Sequence, residues 1–314
     1  QRNMNWIRIS KDAKNSGLNL KHFGKILHAK FHNEYSSIVD KVAVTLLTGV
    51  EEIDKILPEV MDAYKKRDER LKNMKDDTVD TFYSCLLCTS FAPNHVCVIT
   101  PERMGLCGAI SWLDAKASFE ISPTGGNRPI ERKDCVDTAK GMWNGINEFV
   151  YNNSNKTLEK LSLYSLMDSP MSSCGCFECV VAIIPEANGV IIVNRVYPGM
   201  TPIGMKFTTL AGSVGGGQQT PGFMGIAKKY ITSQRFISAE GGLKRVVWMP
   251  KALKDAIRPE LEERAKEIGE PGLIGKIADE TVCIEVPELL DFLQKVKHPV
   301  LSLDWICALP LETN

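Results

Sequence analysis

"SSCGCFECVVAIIPEANGVIIVNRV", residues 172–196, decides how the chain folds. Two apolar, β-branched runs, "CVVAII" and "VIIVNRV", flank "PEANG". The Asn188-Gly189 pair there favours a tight hairpin. Just before the first run stand three cysteines in six positions, two of them separated only by Gly175. A disulfide between Cys174 and Cys176 would close a small, strained ring, since a relaxed bridge wants α-carbons roughly 5.5 Å apart. A metal explains the spacing better, and a hairpin beginning two residues later would hold it rigidly.

Outward from this hairpin the pattern is mixed. "KVAVTLLTG" (41–49) reads as a buried strand closed by Gly49. It feeds a helix over 50–75, with Ile53, Ile56, Leu57, Val60, Met61 and Tyr64 at helical spacing. Acidic residues open that helix, basic ones close it, and Pro58 is a place for a kink. A second helix is expected over 136–151, with Ala139, Met142, Trp143, Ile146, Phe149 and Val150 on one face. "LKRVVWM" (243–249) reads as a strand. A third helix runs from Pro250 to Gly269, breakable at Pro259. Strands and helices without regular alternation predict an α+β fold of mixed sheets with helices. The long charged helix followed by "DDTVD" places a boundary near residue 76. Residues 1–76 then end a smaller preceding α+β domain, and 77–314 form a metal-binding domain.

Of 314 residues, 24% are charged and 44% hydrophobic, which is ordinary globular composition. The 38 basic and 38 acidic residues cancel, which argues against nucleic-acid binding. The first 33 residues differ: Arg2, Arg8, Lys11, Lys14, Lys21, Lys25 and Lys30 face only Asp12, a local excess of six. Either a solvated basic face or an anion-binding surface fits that excess. No signal-peptide pattern and no membrane-length apolar run is evident, so a soluble, cytoplasmic protein without membrane attachment is expected. The opening lacks a methionine, as a piece of a longer protein would. The ten cysteines are too sparse for a disulfide scaffold and cluster between Cys85 and Cys179, which favours metal ligands.

"CLLCTSFAPNHVCVITPERMGLC" carries Cys85, Cys88, Cys97 and Cys107 as C-x2-C-x8-C-x9-C. Four thiolates within 23 residues of loop-like sequence can wrap one centre, zinc or iron–sulfur. Only the first pair has the zinc-knuckle form, which favours iron–sulfur. In C-G-C, two sulfurs and the amide nitrogens of Gly175 and Cys176 can chelate one ion in a plane. That coordination suits nickel(II) or copper(II). A pair of partly buried thiols in a turn is the plain alternative.

The pattern C-x2-C-x8-C-x9-C followed by C-G-C resembles the catalytic centre of the acetyl-CoA synthase family. "TSFAPNHVCVITPERMGLCGAISW" and "AGSVGGGQQTPGFMGIAKKYI" extend the resemblance, which covers the chain from about residue 40 to its end. It implies that Cys85, Cys88, Cys97 and Cys107 hold a 4Fe-4S cubane and that Cys88 bridges it to a proximal nickel. Cys174 and Cys176 would bridge that nickel to a distal one completed by the amides of Gly175 and Cys176. Zinc or copper can displace nickel at the proximal site. Phe91 would stand beside the proximal metal as a steric shield. Trp6 and Arg8 in "NWIRIS" resemble coenzyme A positions, with a buried tryptophan and a surface arginine as the alternative. Cys135, Cys179, Cys283 and Cys307 match no ligand and are expected to be buried thiols.

The implied reaction joins a methyl group from a corrinoid iron–sulfur protein to carbon monoxide and passes the acetyl to coenzyme A. Family members also dock carbon monoxide dehydrogenase through an N-terminal domain, which a chain of this length is not expected to keep. His95 is expected in a supporting role around the metal or facing solvent. "GSVGGGQQTPG" lacks the nucleotide-binding arrangement and reads as a close-packed or flexible loop near the metal. An iron–sulfur protein using only the four-cysteine group, or a zinc-stabilised binding module, are the competing functions.

Overall fold

A computed structural model describes residues 10–35, 45–89 and 91–306. Helices α1 (Lys11–Asn15), α2 (Leu20–Glu34) and α3 (Val50–Leu71) come first. Strands β1 (Thr81–Cys85) and β2 (Cys97–Ile99), helix α4 (Trp112–Ile121) and strand β3 (Asn127–Glu131) follow. Next come the short strands β4 (Cys135–Asp137) and β5 (Met142–Trp143) and helix α5 (Asn144–Asn153). The expected hairpin is β6 (Cys179–Ile184) and β7 (Gly189–Asn194). It is followed by α6 (Phe207–Val214), β8 (Phe223–Ile226), β9 (Val246–Trp248), α7 (Lys251–Ala256), α8 (Arg258–Glu267) and α9 (Val286–Val296). The fold is α+β.

Two sheets carry the structure. One is three-stranded and antiparallel, in the order β2-β1-β3; the other is four-stranded, in the order β8-β6-β7-β9. Among the described residues only the β7–β9 strand pair is parallel. The hairpin register runs from Cys179 opposite Asn194 to Ile184 opposite Gly189. Asn188 turns the chain at φ +49, and its side-chain amide donates to the Leu303 carbonyl at 3.0 Å. β6 and β7 are buried almost throughout, as continuous rather than alternating apolar runs predict. Each such Val or Ile contributes roughly 1.5–3 kcal/mol by leaving water. One apolar core joins both sheets, from Phe82, Val98 and Ile130 to Val181 and Ile192.

Three expectations need correction. The helix predicted over 136–151 starts only at Asn144, because its first half is the β4–β5 hairpin. Gly141 sits at φ +66 in that turn, and an added Cβ would lie 2.5 Å from the Tyr164 ring. The helical period there is coincidental: the left-handed glycine lies in the turn between the paired strands, and the helix begins only after them. Residues 41–44 lie outside the described residues, and 45–49 form no strand. Leu46 is exposed, and among the described residues no neighbouring strand pairs with the segment. Pro58 lies inside the continuous helix α3, where it was expected. Cys135 is exposed, since β4 is the outer strand of a two-stranded ribbon. Pro259 does divide the third helix, giving α7 and α8.

The end of α3 is tied to the rest. Arg67 pairs with Asp114 at 3.1 Å, and Lys229 pairs with Asp68 at 3.0 Å. No helix among the described residues is long and apolar enough to cross a membrane.

Candidate metal centre

The four-cysteine group is built by strand pairing. Cys85 ends β1 and stands directly opposite Cys97, the first residue of β2. Cross-strand neighbours bring their β-carbons within about 5 Å, so sequence positions twelve apart become one pair. After β1 the chain turns around Cys88, whose carbonyl accepts from the Phe91 and Ala92 amides at 3.0 and 3.1 Å. Cys107 lies in a turn closed by the Gly108 amide donating to Gly105 at 2.8 Å. Glu178 fastens that turn to the larger sheet. Its amide donates to the Leu106 carbonyl at 3.2 Å, and its carboxylate accepts from the Lys228 amide at 2.8 Å.

The C-G-C loop is built from backbone. Gly175 sits at φ +91, and nothing lies within 4 Å of where a Cβ would be. It is glycine for its dihedral, not for want of space. The Gly175 amide donates to Ser173 Oγ at 3.0 Å, and the Cys176 amide to Cys174 Sγ at 3.3 Å. Arg195 donates to the Gly175 carbonyl at 2.5 Å and to the Phe177 carbonyl at 3.1 Å. The glycine-rich segment after α6 closes over this loop, the Gly217 amide donating to the Ser173 carbonyl at 2.8 Å. Gly217 is buried against Asn94 and His95, but no residue of this segment is in the cavity lining.

Both groups face one small cavity, lined by Cys85, Cys88, Cys97, Cys107, Cys174 and Cys176 together with His95, Leu106 and Ile110. Cys88 lies within hydrogen-bonding reach of Cys174 and Cys176, and these contacts raise its proton affinity far above that of an ordinary thiol. Cys174 is raised as well, first through Cys176. Burial lifts Cys85 to about 11 and Cys97 higher still. A metal entering here has to displace these protons. His95 is buried, its Nδ1 is 3.0 Å from Ser172 Oγ, and burial lowers it to about 4, so the ring is neutral.

Among the described residues no three or more His, Cys, Asp or Glu side chains already form a ready ion site. A single zinc needs four ligands about 2.3 Å from one point. Six sulfurs arranged around a cavity, three of them in mutual contact, fit a centre of several metal atoms better. The sulfur donor set fits iron–sulfur and soft metals, and the Gly175 and Cys176 amides stand beside it as donors to Ser173 Oγ and Cys174 Sγ.

Phe91 is 85% exposed on the turn carrying Cys88 and is not in the cavity lining. Trp6, Arg8 and Cys307 lie outside the described residues. Cys179 and Cys283 are buried, as expected. Of the basic segment, Lys21, Lys25 and His28 line a shallow depression with Leu46 and Thr48. Arg195, Glu178, Ser172 and Ser173 are residues that sequence reasoning missed. The signal for Arg195 is the hairpin register: with Cys179 opposite Asn194, the next residue outward on each strand is Glu178 and Arg195.

The family model for the C-terminal part of the ACS/CODH beta subunit matches residues 64–307. One described as CO dehydrogenase/acetyl-CoA synthase complex beta subunit matches residues 1–53, so the likeness begins well before residue 40. The chain is 53% identical over 306 residues to carbon monoxide dehydrogenase/acetyl-CoA synthase subunit alpha of Moorella thermoacetica, across 97% of this chain and 42% of that one. It is 46% identical over 302 residues to acetyl-CoA decarbonylase/synthase complex subunit beta of Methanopyrus kandleri, across 96% and 63%. It therefore spans less than two thirds of either relative. A solved C-terminal domain from the alpha subunit of acetyl-coenzyme A synthase is 52% identical, covering 43% of this chain and 100% of its own, with a TM-score of 0.41.

Proposed function

The chain belongs to the ACS/CODH beta subunit family, and from that premise we propose that it carries the metal centre of an acetyl-CoA synthase. The observation that supports this is the meeting of two sequence-distant cysteine groups at one cavity. Cys85, Cys88, Cys97 and Cys107 would hold a 4Fe-4S cubane. Cys88, Cys174 and Cys176 would share a proximal nickel. Cys174, Cys176 and the amides of Gly175 and Cys176 would hold a distal one. When bound, the centre supplies the joining of a methyl group and carbon monoxide and the transfer of the resulting acetyl to coenzyme A.

The chain's own residues position and enclose. The β1–β2 pair fixes two sulfurs, Arg195 and Ser173 fix the loop, and the segment through Gly217 covers it. His95 is neutral and bonded to Ser172, so it orients the wall rather than adding charge. Phe91 would shield the mouth, and Trp6 and Arg8 would meet coenzyme A. The methyl donor would be a corrinoid iron–sulfur protein, and carbon monoxide dehydrogenase would dock to the longer protein. We further place the division between a smaller preceding domain and the metal domain near residue 76.

The test is metal analysis of anaerobically prepared protein beside acetyl-CoA formation from a methyl-corrinoid donor, carbon monoxide and coenzyme A. About four irons and two nickels per chain, with activity, are expected. Iron without nickel binding would reduce the chain to an iron–sulfur protein, and zinc alone to a zinc-stabilised module.

A further inference from the structure

We propose that Arg195 is the positioning residue that makes the Cys176 backbone nitrogen a metal ligand, by holding positive charge on the oxygen of the same peptide group. The proposal rests on the nickel assignment above. A peptide nitrogen binds a metal only after giving up its proton. The negative charge left behind is then shared through peptide resonance with the carbonyl oxygen. For the nitrogen of Cys176 that oxygen is the Gly175 carbonyl, the atom to which Arg195 donates at 2.5 Å.

The guanidinium is held in place for this task. Its Nε donates to the Phe177 carbonyl at 3.1 Å. It packs against both the Phe177 and Phe207 rings, 5.5 and 5.4 Å from their centroids. The Arg195 amide donates to the Glu178 carbonyl at 3.0 Å, so the arginine is carried by the hairpin itself. On coordination the amide proton goes to solvent and the nitrogen lone pair goes to the metal. Two thiolates, two deprotonated amides and one nickel(II) sum to a charge of minus two, which one guanidinium halves. The guanidinium's bond to this oxygen is already charge-assisted, and it strengthens further as negative charge builds up on the acceptor. Arg195 therefore holds the nitrogen-bound state more tightly than the metal-free loop.

The test compares nickel(II) with zinc(II), whose preferred tetrahedral, thiolate-rich site has no use for the amide. Wild type, Arg195→Gln and Arg195→Lys, each with iron–sulfur absorbance as a check on the neighbouring centre, are titrated with each metal. Arg195→Gln is expected to weaken nickel(II) binding about ten- to hundredfold and to leave zinc(II) within about twofold. Arg195→Lys, which keeps the charge, should recover part of the loss. Equal weakening of both metals, or no weakening of nickel(II), overturns the proposal. Failure of wild type to bind nickel(II) in a planar, nitrogen-containing site would overturn the nickel assignment and this inference with it, and shows in wild type alone.

Discussion

The two cysteine groups reach the same cavity by opposite means. Cys85 and Cys97 arrive as paired residues of neighbouring strands, so their placement belongs to the sheet. Cys174 and Cys176 arrive on a three-residue loop whose form depends on one glycine at φ +91 and on hydrogen bonds to its peptide groups. The first group delivers side chains on a scaffold, whereas the second, in the assignment proposed above, would make the scaffold itself part of the ligand set. Substitutions should therefore act differently on the two sides, and the largest effects should fall on different metals.

Cys97→Ala should remove most of the iron, since Cys97 is a buried strand residue with no substitute nearby. Cys174→Ala or Cys176→Ala should abolish acetyl-CoA formation and leave the cubane in place. Gly175→Pro should lose the distal nickel and keep about four irons, because proline has no amide proton to give up and cannot reach a positive φ. Gly175→Asn separates these two reasons: it keeps the amide and tolerates a left-handed backbone, so it should retain nickel. Gly175→Ala should fall between them, with strain of roughly 1–2 kcal/mol and no clash. Nickel and iron per chain, measured on one sample, decide the matter. If the proline variant holds both nickels, the backbone is not a ligand.

The same contrast explains what could be read from the sequence. The β6–β7 hairpin was legible because two apolar runs flank Asn188-Gly189, a local signal. The four-cysteine group suggested a metal by its spacing, and the joining of all six cysteines came from the family resemblance; that they line one cavity is visible only in the fold. That Cys85 and Cys97 face each other was not legible, because strand register depends on pairing and cannot be had from spacing. The β4–β5 ribbon was hidden behind a helical period, and it shows only in the pairing of Cys135 with Trp143 and the positive φ of Gly141. Arg195 looked like an ordinary charged residue after an apolar strand. Its importance appears when the register sets it beside the C-G-C loop.

A smaller effect should mark the strand-built side alone. Asp76, just before β1, is fully buried and accepts from the Tyr164 hydroxyl at 2.7 Å and the Glu102 amide at 2.9 Å. Burial, then the charge of Glu102, pushes its carboxyl up to about 6. A carboxyl with a raised folded value binds its proton more tightly in the folded state. Its contribution is present below about pH 4, its unfolded range, and is lost as pH climbs through 6. The loss is on the order of 1–3 kcal/mol. Hydrogen exchange should show β1–β3 losing protection between pH 4 and 6 while β6 and β7 do not, and Asp76→Asn should flatten that slope. A slope shared equally by both sheets would mean that they open as one unit.

The smallest structural effect belongs to Phe91, whose amide donates to the Cys88 carbonyl on the turn between β1 and β2. It follows Cys88 by three residues on the turn facing the C-G-C loop's thiols, yet 85% of it is exposed. Truncating an exposed side chain removes almost no buried apolar surface, so Phe91→Ala should change stability by no more than about 0.5 kcal/mol. Iron and nickel contents should match wild type, since no ligand and no hydrogen bond from the Phe91 side chain is involved; its backbone amide bond to Cys88 survives the substitution. If Phe91 shields the proximal metal, the variant should instead show an altered dependence of acetyl-CoA formation on carbon monoxide, with its stability intact. That split between unchanged folding and changed ligand response is the signature of a mouth residue. A fall in stability or in iron would place Phe91 with the scaffold. Unchanged carbon monoxide dependence would leave the approach to the metal to the backbone-built side alone.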